Sequence, residues 1–373
     1  MSTRTLGFGS RANRRIATAA AVLVAAGGLT ACGSSDDDTT STGASGGSGS
    51  AASTNADFTG STPLKSGTIG IVEVNAQSER ISEWASTAKK AAEDLGWKAE
   101  VIDGKGTPAG WAQAISSLTT KKVDGIITLA IDPPAVATQL QAAKAAKIPV
   151  IASGISVAGS GSDLFAARYA PDDSQFGQVL ADYLKSKVPA GSEYVNLDLS
   201  AVSGAHALIT KANPAMQAAG LKLAGTQDIN PADIINGTGK ATVNLVRSNP
   251  KAKIILSCCD FSPPITVASL KQAGKSDVIQ AARYDNPSTL ALIEKGEPVV
   301  TAASNSDQGV LTAVDQIARL KSTGKAIDPK ADAGKYEFKV IDKSNVPAGG
   351  KYVYDPDSQI AEYVKRWKAE YSR

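Results

Sequence analysis

Histidine occurs once in this chain, at position 206, and cysteine three times, at 32, 258 and 259. A zinc site is filled by several nitrogen and sulfur ligands, so one His and one adjacent Cys pair leave it incomplete. A Ser-His or Cys-His nucleophile needs a base held by an orienting carboxylate, and no motif places one beside His206. Neither catalysis nor a metal or other cofactor is expected. Aromatics make up only 5%, too few for a broad base-stacking surface. Excess charge is missing as well. The formal +3 arises in residues 1–31, which hold Arg4, Arg11, Arg14 and Arg15 and no acid; without them 35 basic residues face 36 acidic ones. A near-neutral body gives no electrostatic case for nucleic acid or an anionic membrane surface. With 373 residues the chain has room for two domains of about 150 residues, and it can bury its core without a disulfide framework.

What is present begins with an export signal. Residues 1–15 are polar and basic, 16–31 (IATAAAVLVAAGGLTA) are apolar and small, and Cys32 follows. That order is the n-region, h-region and small-residue cleavage site of a signal peptide, and the apolar run falls short of the roughly 20 residues a spanning helix needs. Leu29-Thr30-Ala31-Cys32 resembles the bacterial lipobox. The resemblance implies cleavage before Cys32, a diacylglycerol thioether on its sulfur, and an extracytoplasmic protein anchored to the cell membrane. Arg14-Arg15 is an incomplete twin-arginine motif, so the export route stays open. Residues 32–66 are Gly, Ser, Thr and Asp with little to bury, a flexible tether with an r.m.s. reach of roughly 30 Å.

From Thr68 one unit recurs: a short β-branched run, a turn, an Ala-rich helical stretch. The runs are 68–74, 99–103, 125–130, 148–153, 194–199, 253–258, 277–282 and 298–303. Continuous apolar strands alternating with helices indicate parallel sheets covered on both faces, and their number exceeds one ordinary sheet. The expectation is an α/β protein of two Rossmann-like lobes. Ligands then sit beyond the C-terminal strand ends, near Asn75–Arg80, Asp132-Pro133-Pro134, Ser200–His206, Cys259-Asp260-Phe261 and Tyr284-Asp285-Asn286. In the segment 351–371, Ile360, Tyr363, Val364 and Trp367 make one apolar helix face, expected to pack on the second lobe.

Several stretches carry a resemblance. "VDGIITLAIDPPAV", "KAAKIPVIASG", "APDDSQFGQVLADYL", the run from "CDFSPPITVASL" to "NPSTLALIEKGE", and "DQGVLTAVDQIARL" resemble, in order and spacing, the type I periplasmic solute-binding proteins of the ribose-binding cluster. The similarity covers about residues 66–345. It implies two lobes joined by a three-crossing hinge, a first lobe of 67–172 plus 305–335 and a second of 173–304 plus 336–373. It also implies a monomer that hands a small molecule to an ABC permease. A sugar, polyol or nucleoside is the default ligand; a non-sugar solute, or a sensor role for a membrane kinase or chemoreceptor, is the alternative.

The family's ligand positions carry over residue by residue. Its first Asn falls on Ser78, followed by Glu79, and its paired aromatics on Arg80 and Ile81. An Asp-Arg pair falls on Gly154-Ile155. An Arg has no counterpart, with His206 nearby, and a Phe falls near Ile229 or Asn230. An Asn falls on Cys259, whereas Asp260 and Asp285 are kept, and a Gln falls on Ser304 or Asn305. Losing the Asp-Arg pair and the aromatics removes much of the charged, bidentate grip on vicinal hydroxyls. Trp111 is the remaining candidate, for stacking or for the core. Cys258 and Cys259 are read as two buried thiols, with a disulfide between neighbours as the alternative.

Overall fold

The computed structural model describes residues 58–157 and 160–373. The signal peptide 1–31, the lipidation site Cys32 and most of the tether lie outside the described residues. In chain order the elements are β1 (Thr62–Pro63), β2 (Thr68–Glu73), α1 (Glu79–Asp94), β3 (Lys98–Asp103), α2 (Pro108–Thr120), β4 (Gly125–Leu129), α3 (Pro133–Ala145), β5 (Val150–Ser153), β6 (Ala167–Tyr169) and α4 (Asp173–Leu184). There follow β7 (Glu193–Asp198), α5 (Ser203–Ala218), β8 (Lys222–Asp228), α6 (Ile234–Ser248), β9 (Ala252–Ser257), α7 (Ser262–Gln272), β10 (Ile279–Arg283) and α8 (Pro287–Glu294). The chain ends with β11 (Val299–Ser304), α9 (Asp307–Thr323), β12 (Phe338–Ile341), α10 (Pro356–Glu370) and β13 (Tyr371–Ser372).

Two sheets organise them. The first runs β3-β2-β4-β5-β6 and is parallel throughout; the second runs β8-β7-β9-β10-β11-β12, parallel except for the antiparallel edge strand β12. In both, the first strand of the lobe lies between the second and the third. That reversal of strand order opens a crevice at the C-terminal strand ends, and it recurs at β2/β4 and β7/β9. The central strands are buried along their whole length, as in β4 and β5, which explains their unbroken apolar sequences.

All eight expected runs are strands. Three others in these two sheets carry weak signals. β8 (KLAGTQD) is an exposed edge, β6 has three residues, and β12 joins antiparallel.

The chain passes between lobes at 170–172, 305–306 and 324–337, and then a fourth time. After β12 it returns through 351–355, and α10 packs on α1 and α9 of the first lobe. The C-terminal helix therefore does not sit on the second lobe as expected, and 356–373 belongs with the first. Its apolar face is correct, but Trp367 and Tyr363 bury against α9, where Trp367 Nε1 donates to Asp315 at 2.8 Å. The tether also ends sooner than residue 66. β1 pairs with β13, Thr59 and Gly60 donate backbone bonds to Lys368 and Tyr371, and Arg373 stacks on Phe58 at 4.4 Å. Phe58 and Leu64 give this otherwise polar stretch something to bury. No helix among the described residues is long and apolar enough to cross a membrane.

Candidate functional site

The strand ends of both sheets meet around one cavity. From the first lobe come Val74, Asn75 and Ser78 after β2, Ala130 after β4 and Ile155 after β5; from the second come Leu199 and Val202 after β7. Cys259, Asp260 and Phe261 follow β9, and Arg283 and Tyr284 end β10. The enclosed free space is about 50 Å³. At roughly 10–15 Å³ for a water, that is room for a few.

The lobes are closed on each other by carboxylates placed at helix N-termini, where backbone N–H groups lack partners. Asp260 of the second lobe accepts Ser78 Oγ at 3.0 Å and the Arg80 N–H at 2.9 Å, at the start of α1. Asp132 of the first lobe accepts the Ser203 N–H at 2.6 Å and the Ser203 hydroxyl, at the start of α5; burial raises its pKa. Glu79 accepts the hydroxyl of Ser288 at the start of α8. Asn75 Nδ2 donates to the Pro231 carbonyl at 3.1 Å. Gly106 allows that approach: a Cβ there would lie 2.5 Å from the Pro231 oxygen.

At the cavity wall Arg80 is buried in a knot of acids. It meets Asp285 at 2.8 Å and Asp307 at 3.3 Å, its Nε donates to Asn286 at 3.3 Å, and the Tyr352 ring lies 4.9 Å from the guanidinium carbon. Asp285 is satisfied on its other oxygen by the Val353 and Tyr354 N–H groups of the fourth crossing. Arg283 is paired with buried Asp173 at 2.7 Å.

Residues 69–326 match the periplasmic binding protein domain. The chain belongs to that family. Relatives of this periplasmic binding protein include the ribose import binding protein of Salmonella typhimurium, 24% identical over 69% of this chain and 86% of the relative. The Escherichia coli ribose import binding protein has the same identity and coverage. Among solved structures, an ABC transporter solute-binding protein of Agrobacterium vitis with bound allitol has a TM-score of 0.66 at 18% identity, covering 76% of this chain and 97% of that one. A carbohydrate transporter of Acidothermus cellulolyticus in complex with myo-inositol has a TM-score of 0.63 at 20% identity, covering 82% and 100%. At these identities the likeness shows the fold.

Of the candidate residues, this periplasmic binding protein brings Ser78, Arg80, Cys259 and Asp260 to the cavity wall. The others lie elsewhere. Asp285 is held behind the wall by Arg80 and the fourth crossing. Glu79 joins the lobes at Ser288. Trp111 is core, with Nε1 donating to the Val74 carbonyl at 2.9 Å. Gly154 serves Trp84: its φ is +88° and a Cβ would lie 2.4 Å from that indole.

His206 is half exposed and pairs through Nδ1 with Asp198 at 2.6 Å, an orienting carboxylate that no motif had announced. Asn230 is exposed and accepts from the Ala232 N–H in its own turn. Ser304 is buried at the end of β11, off the cavity, and Asn305 bonds the Lys335 carbonyl and the Glu337 N–H of the third crossing. The two thiols expected at 258 and 259 are instead a vicinal disulfide; adjacency in sequence says nothing of oxidation state. Sequence reasoning missed Arg283, which falls on the last residue of a strand, one position before the turn.

Proposed function

We propose that this protein captures a small solute between its two lobes and presents it to an ABC permease, outside the cytoplasm and tethered by lipid on Cys32. A sugar, polyol or nucleoside is the solute class, on the analogy of relatives that bind ribose, allitol and myo-inositol. The single observation that carries the reading is the cavity between lobes at the C-terminal strand ends. Its walls come from both lobes, so a solute held there contacts both and stabilises closure over opening. The Ser78–Asp260, Asp132–Ser203 and Asn75–Pro231 contacts must part to admit it.

The test is a thermal-shift screen of the mature chain carrying Cys32→Ser, begun at residue 32 so that the 58–64 segment keeps its C-terminal partner. A solute at 100 times its dissociation constant adds about 2.7 kcal/mol of stability. A panel of sugars, polyols, nucleosides, amino acids and small acids that gives no shift at all sinks the reading. In expressing cells, Cys32→Ser should move the protein from the membrane fraction to the soluble one.

A further inference from the structure

We infer that the cleft selects compact ring solutes that present a broad apolar face and carry few hydroxyls along one edge, over fully hydroxylated rings of the same size. The inference deepens the proposed solute-binding role and rests on it.

Three observations converge. The wall is mostly apolar on both sides: Ile81, Trp84 and Ile155 face Leu199, Val202 and Phe261. Every charged side chain that lines it is already matched within the protein. Arg80 meets Asp285 and Asp307, Arg283 meets Asp173, and Asp260 receives Ser78, the Arg80 N–H and Asn286 Nδ2. Asn75 is used as well, by the Pro231 carbonyl and the Gln77 N–H. A solute hydroxyl buried against such a wall loses water and gains no partner, which costs roughly tenfold or more in affinity for each.

The third observation concerns what is left over. Among the described residues, two buried polar atoms of the lining residues have no partner, Arg283 Nε and Tyr284 Oη. They belong to adjacent residues at the end of β10, and Tyr284 is held there at φ +71°, a backbone that a bulky residue rarely adopts. Neither atom is exposed to the cavity as it stands, so a solute reaches the pair only as the wall shifts around it; two adjacent groups then serve one polar edge and not a ring of hydroxyls.

The experiment is calorimetric titration of the Cys32→Ser mature chain with pairs that differ only in hydroxyls. D-fucose is compared with D-galactose, and 1,2-cyclohexanediol with myo-inositol. The less hydroxylated member of each pair should bind at least about tenfold more tightly. Ile155→Thr adds a hydroxyl to the wall and should narrow the gap. Tyr284→Phe should weaken binding of the favoured member without lowering the melting temperature of the unliganded chain. Equal or tighter binding of the hydroxylated members overturns the inference and leaves the solute-binding role standing. Binding of none of the four overturns it too; the wider panel above then decides separately whether the solute-binding role falls.

Discussion

Asp260, on the second lobe, caps the first helix of the first lobe by accepting the Arg80 N–H at 2.9 Å, and it accepts the hydroxyl of the N-cap residue Ser78 at 3.0 Å. Asp132, on the first lobe, does the same for α5, the helix after the first strand of the second lobe, through the Ser203 N–H at 2.6 Å. Each acid follows the third strand of its lobe, so the two contacts are related by the internal repeat of the fold. The lobes thus hold one another by exchanging helix caps, with the positive end of each helix facing a carboxylate from across the cleft.

Removing either cap should favour the open form. Asp260→Ala and Asp132→Ala each lose a cap of about 0.5–2 kcal/mol, and Asp260→Ala also strands the Arg80 N–H and Asn286 Nδ2. Small-angle scattering without solute should show a larger radius of gyration for both variants, and solute affinity should fall by up to about tenfold in each. Unchanged scattering and affinity would show that the caps do not set the closure equilibrium.

Arg80 is expected to be the most costly single residue to lose. Arg80→Met leaves Asp285 and Asp307 buried without their cation, and breaking such a group costs about 3–5 kcal/mol. Arg80→Lys keeps the charge but not the planar fork, and should fall between. Adding Asp285→Asn and Asp307→Asn to Arg80→Met should recover part of the loss. Urea unfolding of the four chains measures this; a triple variant no better than Arg80→Met contradicts it.

How much of this was legible follows from which physics is local. The central strands of both sheets were readable because burial on two faces writes itself as an unbroken apolar run, as in GIITL and VIAS. β8 was not, since an exposed edge strand needs no such run. Ser78 and Asp260 were found from their places beyond strand ends. The partners of Arg80 were not, because Asp285 and Asp307 lie 205 and 227 residues away and nothing in the spacing couples them. An apolar stripe on α10 announces that the helix is buried, but it does not say against which lobe.

Asp307 should give the protein a pH dependence of known sign. Burial pushes its carboxyl up from 3.8 to about 6, with Glu83 and Asp285 pushing the same way and Arg80 and the Thr87 hydroxyl opposing. Between about pH 4 and 6 the native state keeps a proton that the unfolded chain has released. Stability from this group is therefore present below the unfolded pKa and is lost as pH rises through the folded one. Relative to Asp307→Asn, the wild type should lose on the order of 3 kcal/mol between pH 4 and 7. Urea titrations of both chains at four pH values test it, and a wild type that holds or gains stability relative to Asp307→Asn as pH rises refutes it.

The helix beyond the fourth crossing, α10, should contribute measurably to stability. Trp367 is fully buried on α10, its ring 5.7 Å from that of Tyr363, and its indole N–H satisfies Asp315. Trp367→Ala opens a cavity beneath α10 and leaves that carboxylate short of a donor, so about 3–5 kcal/mol should be lost. A chain ended after Asp355 uncovers the same faces of α1 and α9. It should unfold at lower temperature still, since it also loses β13 and with it the partner of β1. Asp285 keeps its Val353 and Tyr354 donors in that truncated chain, so the Arg80 knot stays intact and the loss reports α10 packing. A truncated chain with the wild-type melting temperature would mean that α10 rests on the first lobe without stabilising it.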